Sequence, residues 1–247
     1  VVTPCGRSVA GTVVTRLLAA ILAASDGADV DDVMTFTPDP DGLLSAAFAG
    51  EGFALRPFEY LCRPIEPSTP PPSEGLGSFH AGRLLALADL LARAYPGADQ
   101  ERPFAPGGTR EEWVEYTSQL VTQNGCGTVL PWASVVEEDP QQRGRLLGAI
   151  VTTRIAGQSA HLAQVAIDPA VQGRGRGRRL LEQGLARLFD RGYTHVSLLV
   201  AADNRPALSL YRALGFERQG AFVSAWRRQP RRSTSAACST GGVSTFR

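Results

Sequence analysis

The stretch Gln172-Gly-Arg-Gly-Arg-Gly177, followed by Arg178 and Arg179, is the part of the chain whose spacing most invites chemistry. Gly175 and Gly177 allow backbone angles closed to other residues and a close approach by a ligand. If a helix starts here, its first N–H groups point outward with the positive end of the helix dipole behind them, which suits a phosphate or pyrophosphate. Arg174, Arg176, Arg178 and Arg179 would add charge at the rim, each such interaction being worth about 0.3–1 kcal/mol when exposed. Two familiar phosphate loops are excluded. No Gly-Lys-Ser/Thr ending is present, and glycines at 173, 175 and 177 do not fit Gly-x-Gly-x-x-Gly. The next apolar run also ends in alanines instead of the acidic residue that would hold a ribose. Taken alone, the loop leaves open a solvated basic helix start with no ligand as the lesser reading.

The elements that must hold this loop can be read from periodicity. Leu84, Leu87, Leu91 and Tyr95 give a helix over Leu84 to Ala94. Arg110 to Leu120 is a second helix, with Thr109 as N-cap and Glu112 at the capping-box position. Thr128–Val136, Leu146–Ile155 and His161–Ile167 read as strands, the last ended by Asp168-Pro169. After the loop, Leu180, Leu181, Leu185, Leu188 and Phe189 mark one face of a helix that closes at Gly192. Thr194–Val200 is a buried strand, Asn204 caps a short helix ended by Gly215, and Phe216–Arg228 would supply a final pair of strands. Strands alternating with helices imply a layered α/β sheet.

Composition sets the frame. A chain of 247 residues can bury a substantial core, and a net charge of +1 makes no electrostatic case for nucleic acid or an anionic membrane surface. All basic residues are arginine, which together with the many Ala, Gly and Pro residues reads as a GC-rich coding bias. Cys5, Cys62, Cys126 and Cys238 are scattered, so no disulfide framework or metal site is expected, and a reduced cytoplasmic protein fits best. The apolar run Val13 to Ala24 is interrupted by Arg16 and is too short to span a bilayer. A Pro/Ser/Gly-rich linker over 66–79 separates residues 1–65 from a domain at 80–228, and 229–247 reads as a disordered tail.

Val165-Ala-Ile-Asp-Pro, the glycine loop, its helix, the strand His195–Val200, Asn204 and Tyr211-Arg-Ala-Leu-Gly-Phe216 follow in this order. This series resembles the GNAT superfamily of acyl-CoA-dependent N-acetyltransferases over roughly residues 80–228. The resemblance implies an α/β GNAT fold: a mixed, mostly antiparallel twisted sheet, splayed at the acetyl-CoA site and flanked by helices on both faces. It implies transfer of acetyl from acetyl-CoA, as co-substrate and without a metal, directly to a primary amine of a small molecule or of a peptide or protein N-terminus. The backbone of Val165, Ala166 and Ile167 would pair with the pantetheine arm. N–H groups from Gln172, Gly173, Arg174, Gly175, Arg176, Gly177 and Arg178 would cradle the pyrophosphate. Asn204 would contact the pantetheine side, and Tyr211 would protonate the departing thiolate. Asn204 and Tyr211, seven apart, share one helix face, and a phenol with a pKa near ~10 is a reasonable donor to a thiolate. The alternative is a non-catalytic acyl-CoA-binding or scaffolding module, in which Tyr211 would be a core aromatic.

Attack needs a neutral amine, and the sequence does not identify the base. Glu115, Glu137, Glu138 and His161 remain open, whereas Gln164, at a position where some relatives carry an acid, cannot act as one. Trp113 and Tyr116 could line the acceptor pocket, and Cys126 reads as a small buried thiol.

Residues 1–65 repeat the same order at an offset of about 163–165 residues: Pro4, Arg7-x-x-Ala10-x-Thr12, Leu17 and Leu18, a strand Val30–Phe36, a short apolar helix to Phe48, then Gly52-Phe53. Here β-carbons obstruct the cradle, and Asp41 and Phe48 stand opposite Asn204 and Tyr211, so this copy is expected to be degenerate. It begins at the loop and lacks the strands that should precede it, so an upstream coding segment is expected. A tandem arrangement with an active second copy resembles the mycothiol synthases, and the loop with Asn204 and Leu-Gly-Phe is also similar to the ribosomal type of protein N-terminal acetyltransferase.

Overall fold

The computed structural model describes residues 15–23, 32–39, 41–70, 72–95, 104–105, 107–123 and 126–228. Along the chain these form α1 (residues 15–23), β1 (Asp32–Pro38), α2 (Leu43–Gly50), β2 (Ala54–Pro64), β3 (Leu76–Ser78), α3 (Leu84–Ala94) and α4 (Arg110–Thr122). They continue with β4 (Thr128–Val129), β5 (Val135–Glu138), β6 (Leu146–Ala156), β7 (Ser159–Ile167), α5 (Arg176–Phe189), β8 (His195–Ala201), α6 (Arg205–Ala213) and β9 (Glu217–Arg228). The worn loop Arg7–Thr12 and the tail from 229 lie outside the described residues.

One sheet runs β1-β9-β2-β8-β7-β6-β5-β3, with β4 on β6, and among the described residues its only parallel pair is β7 with β8. Strand alternation explains how both faces become apolar. Val135 and Ile150 pack with Leu180, Leu181 and Leu188 of α5, while Val136, Ala149 and Val151 pack with Leu87, Leu91 and Trp113 of α3 and α4. The first eight residues of β6 are consequently buried. The capping box at α4 is present: the Glu112 N–H donates to Thr109 Oγ1, and the Thr109 N–H donates to the Glu112 carboxylate.

Three departures from the sequence reading stand out. The run 128–136 is broken by a turn into β4 and β5. Within the stretch read as linker, Leu76–Ser78 forms β3 on the edge of β5. The final pair of strands is a single long strand, β9, because its partner comes from the other end of the chain. β2 is inserted between β8 and β9, pairing Phe58 with Ala201 on one side and with Phe222 on the other. β1 then covers the far edge of β9.

The ends of α2 and α6 are built alike. The Phe53 N–H donates to the Phe48 carbonyl at 3.0 Å, and the Phe216 N–H to the Tyr211 carbonyl at 3.0 Å. Gly52 and Gly215, at φ 77° and 81°, supply the left-handed residue each turn needs. Phe48 packs on Phe53 at 5.2 Å as Tyr211 packs on Phe216 at 5.8 Å.

Candidate active site

The parallel ladder between β7 and β8 runs from Ser159 opposite His195 to Leu162 opposite Leu198 and stops there, although both strands continue. A bulge accounts for the divergence. Val151 of β6 faces Gln164 and Thr152 faces Leu162, leaving Ala163 as the extra residue that bends β7. Beyond it β7 stays bound to β6 as far as Ile167 opposite Gly148, and β8 stays bound to β2 as far as Ala201 opposite Phe58. The inner edges of the two strands therefore open a cleft whose β7 wall is Val165, Ala166 and Ile167. A ligand's amide groups can pair with such an edge.

At the end of β7 the chain turns into the glycine loop, and the turn is anchored. Buried Asp168 accepts from Arg93 Nε at 2.8 Å, Arg145 Nη2 at 3.0 Å and the Ala170 N–H at 3.1 Å. Burial would raise this carboxyl, but those hydrogen bonds outweigh it and hold Asp168 below the ordinary carboxylate range. Gln172 Nε2 donates to the Ile167 carbonyl at 3.0 Å, tying the loop back to the strand. Gly173 and Gly175 lie at φ 73° and 75°, and Gly175 is the N-cap of α5 with no side chain to cover it. The Arg179 N–H bonds the Gly175 carbonyl at 3.1 Å, so the amides of Arg176, Gly177 and Arg178 precede the helical ladder and remain as anion donors. Gly177 meets a different need. A Cβ there would lie 3.2 Å from Leu210 Cδ2 and 3.7 Å from Ile167 Cγ1, where α5 starts against α6 and β7.

The arginines turn largely toward the protein. Arg176 donates to the buried Glu137 carboxylate, Arg178 pairs with Glu182 at 3.2 Å, and Arg179 bonds the Pro72 and Glu74 carbonyls and lies 3.6 Å from Glu137. Arg174 is exposed. Binding at this loop is thus a matter of backbone amides more than of a guanidinium crown.

α6 brings in the next pair. Asn204 Oδ1 accepts the Ala207 N–H at 3.2 Å, so its side chain caps the helix at the cleft mouth. Tyr211 is buried about two turns along the same face, and burial, helped by Tyr95, pushes its phenol above the ordinary value.

An aromatic group gathers at Gln164 of β7, beside the bulge. Tyr116 donates to Gln164 Oε1 at 2.9 Å, and Gln164 Nε2 donates to the Tyr95 hydroxyl at 3.2 Å. Tyr95 stacks on Trp113 at 5.5 Å, and Tyr116 meets Phe104 at 4.9 Å. The N-terminal strands reach the same place: Phe36 of β1 stacks on Phe104 at 6.3 Å. Arg56 of β2 pairs with Asp203 at 3.3 Å and lies close enough to Tyr95 to act on its ionisation.

None of the open base candidates is presented to the cleft as a free carboxylate or imidazole. Glu137 is engaged by Arg176, Glu138 by Arg83, and Glu115 by Gln119 at 3.0 Å. His161 meets Ser197 Oγ at 2.9 Å inside the sheet, where burial lowers it to about 4. Cys126, expected to be buried, is exposed. Sequence reading passed over Tyr95 as one more apolar position of α3 and passed over Arg56 entirely. The Tyr95 hydroxyl was a visible signal, but Arg56 had none, because its place depends on β2 crossing to β8. Among the described residues, no group of three or more His, Cys, Asp or Glu side chains could hold a metal ion, and no helix is long and apolar enough to cross a membrane.

The profile of the Acetyltransferase (GNAT) family matches residues 84–216. The mycothiol acetyltransferase of Catenulispora acidiphila is 37% identical over 156 residues, covering 56% of this chain and 50% of that one. Its counterpart in Pseudarthrobacter chlorophenolicus is 34% identical over 151 residues, covering 54% and 47%. The chain thus spans about half the length of the curated relatives it matches. A GCN5-related N-acetyltransferase from Sphaerobacter thermophilus shares the fold at a TM-score of 0.55 and 19% identity, over 81% of this chain and 60% of that one. With the splayed strands, the uncapped glycine loop and this match, the chain belongs to the GNAT acetyltransferase family.

Proposed function

We propose that the protein moves an acetyl group from acetyl-CoA directly to a primary amine. The carrying observation is the cleft between β7 and β8 with free α5 amides at its end. It offers an apolar slot with a strand edge for pantetheine and a cradle for pyrophosphate. In this reading Val165, Ala166 and Ile167 pair with the pantetheine arm and Asn204 meets the arm at the cleft mouth. The amides of Gly173 to Arg178 hold the pyrophosphate, without that of Gln172, which the structure bonds to the Pro169 carbonyl at 3.4 Å. The amine attacks the thioester carbonyl, and Tyr211 gives its proton to the departing sulfur. A phenol raised by burial stays protonated until that moment, and the same dry surroundings raise any thiolate formed beside it, so donor and acceptor remain matched.

The relatives named mycothiol acetyltransferases support a small thiol-bearing amine as acceptor, ahead of a protein N-terminus. The aromatic wall of Tyr95, Phe104, Trp113 and Tyr116 suits an acceptor with an extended apolar or sugar-like face. We also infer that residues 1–65 repeat the C-terminal half of the unit at 80–228, without its chemistry. The matched ends of α2 and α6 support this, as does Phe48 standing where the second copy has Tyr211.

Thiol release from acetyl-CoA with a panel of amines tests the activity. Turnover is expected, with Tyr211→Phe lowering kcat by about 10²-fold or more while leaving acetyl-CoA affinity unchanged. Acetyl-CoA binding without turnover of any amine would favour a scaffold instead, and absence of binding would defeat both readings.

A further inference from the structure

We infer that Tyr95 is a catalytic hydrogen-bond donor, held by Gln164 and Tyr116 so that its proton faces the thioester carbonyl in the cleft between β7 and β8. This rests on the acetyl-transfer reading above. Tyr95 closes the C-terminal end of α3, where its N–H bonds the Leu91 carbonyl at 2.9 Å, and its ring is clamped on Trp113. Gln164 is buried on β7 beside the bulge, where β7 parts from β8. Its carboxamide lies between two phenols. Oε1 is taken by the Tyr116 proton, so the NH2 group meets Tyr95. The Tyr95 oxygen therefore accepts, and its own proton must point away from Gln164. Among the described residues no acceptor takes that proton. Tyr211 stands on the other side, close enough for the two phenols to influence each other, yet no hydrogen bond joins them. In this inference the reacting thioester lies between the two phenols, one at its oxygen and the other at its sulfur.

The chemistry then balances. The amine lone pair forms the N–C bond, and the carbonyl π pair moves to oxygen, where Tyr95 donates a hydrogen bond without giving up its proton. When the C=O bond re-forms, the C–S bond breaks with its electron pair on sulfur, and sulfur takes the Tyr211 proton. The proton lost by nitrogen goes to solvent, and solvent returns one to Tyr211. The products are the amide and the free thiol.

Steady-state kinetics on the full chain, with acetyl-CoA and an amine that it acetylates, test the inference. Tyr95→Phe is expected to lower kcat by about 10²-fold, the loss typical of one oxyanion donor, with acceptor KM and acetyl-CoA Kd within about twofold. Gln164→Glu supplies a second reading. Its carboxylate accepts from both phenols and turns the Tyr95 proton back from the cleft, so kcat should fall as far. Adding Tyr95→Phe to it should then cost nothing more. Unchanged kcat in Tyr95→Phe, or a loss confined to acceptor KM, overturns the inference and leaves Tyr95 as pocket wall. Gln164→Glu faster than wild type also overturns it, since that position would then serve a base. An unmutated chain that releases no thiol with any amine defeats the acetyl-transfer reading and this inference together, whereas an active chain with a silent Tyr95→Phe defeats this inference alone.

Discussion

Gly148 offers a direct test of how the core holds the cofactor loop. It lies on β6 opposite Ile167, and an added Cβ would sit 2.7 Å from Leu180 Cδ1 and 2.9 Å from Ile167 Cδ1. Those two side chains flank the loop, Ile167 at the end of β7 and Leu180 in the second turn of α5. Replacing a strand glycine with alanine alone gains about 0.5–1 kcal/mol through backbone entropy. Overpacking a filled core costs about 1–3 kcal/mol, so Gly148→Ala should lose about 1–2 kcal/mol net. For a domain of this size that lowers Tm by roughly 2–8 °C. Gly77→Ala is the control: its Cβ would meet Val136 and Arg83 at 3.7 and 3.8 Å, ordinary contacts, and it should be neutral or slightly stabilising. Because the strain falls on both flanks of the loop, acetyl-CoA affinity should drop as well. Ile167→Val, which removes Cδ1, should recover part of both losses in the double variant. Thermal unfolding and titration calorimetry read the two effects. A Gly148→Ala variant as stable as Gly77→Ala, with unaltered affinity, would refute the reasoning.

Three further outcomes are expected. His161 is held at about 4 against 6.5 in the unfolded chain, so its neutral form is favoured on folding. That contribution is complete above pH 6.5 and is lost as pH falls toward 4, about 3 kcal/mol in all, and denaturant unfolding across this range should flatten in His161→Asn. Asp168→Asn removes the charge that holds Arg93 and Arg145 and should cost about 2–3 kcal/mol; in the parent chain this contribution is present above about pH 4 and fades below it, visible in acid unfolding curves. A chain cut to residues 66–228 loses β2 and leaves facing edges of β8 and β9 unpaired, so it should be insoluble or aggregated by light scattering, where the full chain is not.

What the sequence disclosed was what is local. The glycine loop, the Thr109 cap, the amphipathic α3 and α5, and the α6 turn at Gly215 each carry their cause within a few residues, and each stands where the pattern puts it. The splay of the sheet was implied by family resemblance, but its cause, the bulge at Ala163, was not visible, because period-two alternation does not register one extra residue in a strand with no exposed position on either face. The arginines misled for a related reason. Charge at a helix start suggests a ligand, yet Glu137, distant in sequence, takes Arg176 and part of Arg179.

The placement of β2 was equally beyond local reading, and it alters how the site should be understood. β2 fixes the outer edge of β8 up to Ala201, and the Ala202 N–H then bonds the Pro57 carbonyl at 3.0 Å, so the turn carrying Asp203 and Asn204 is set by the N-terminal segment. Arg56 continues that contact through Asp203. A strand from one half of the chain thereby positions the mouth of a cleft whose loop and proposed acid belong to the other half. If residues 1–65 repeat the C-terminal half of the unit, that copy has lost the phenol at Phe48 while its strand still shapes the site of the second. Loss of chemistry in one copy need not release that copy from selection, because the sheet gives its backbone a second task.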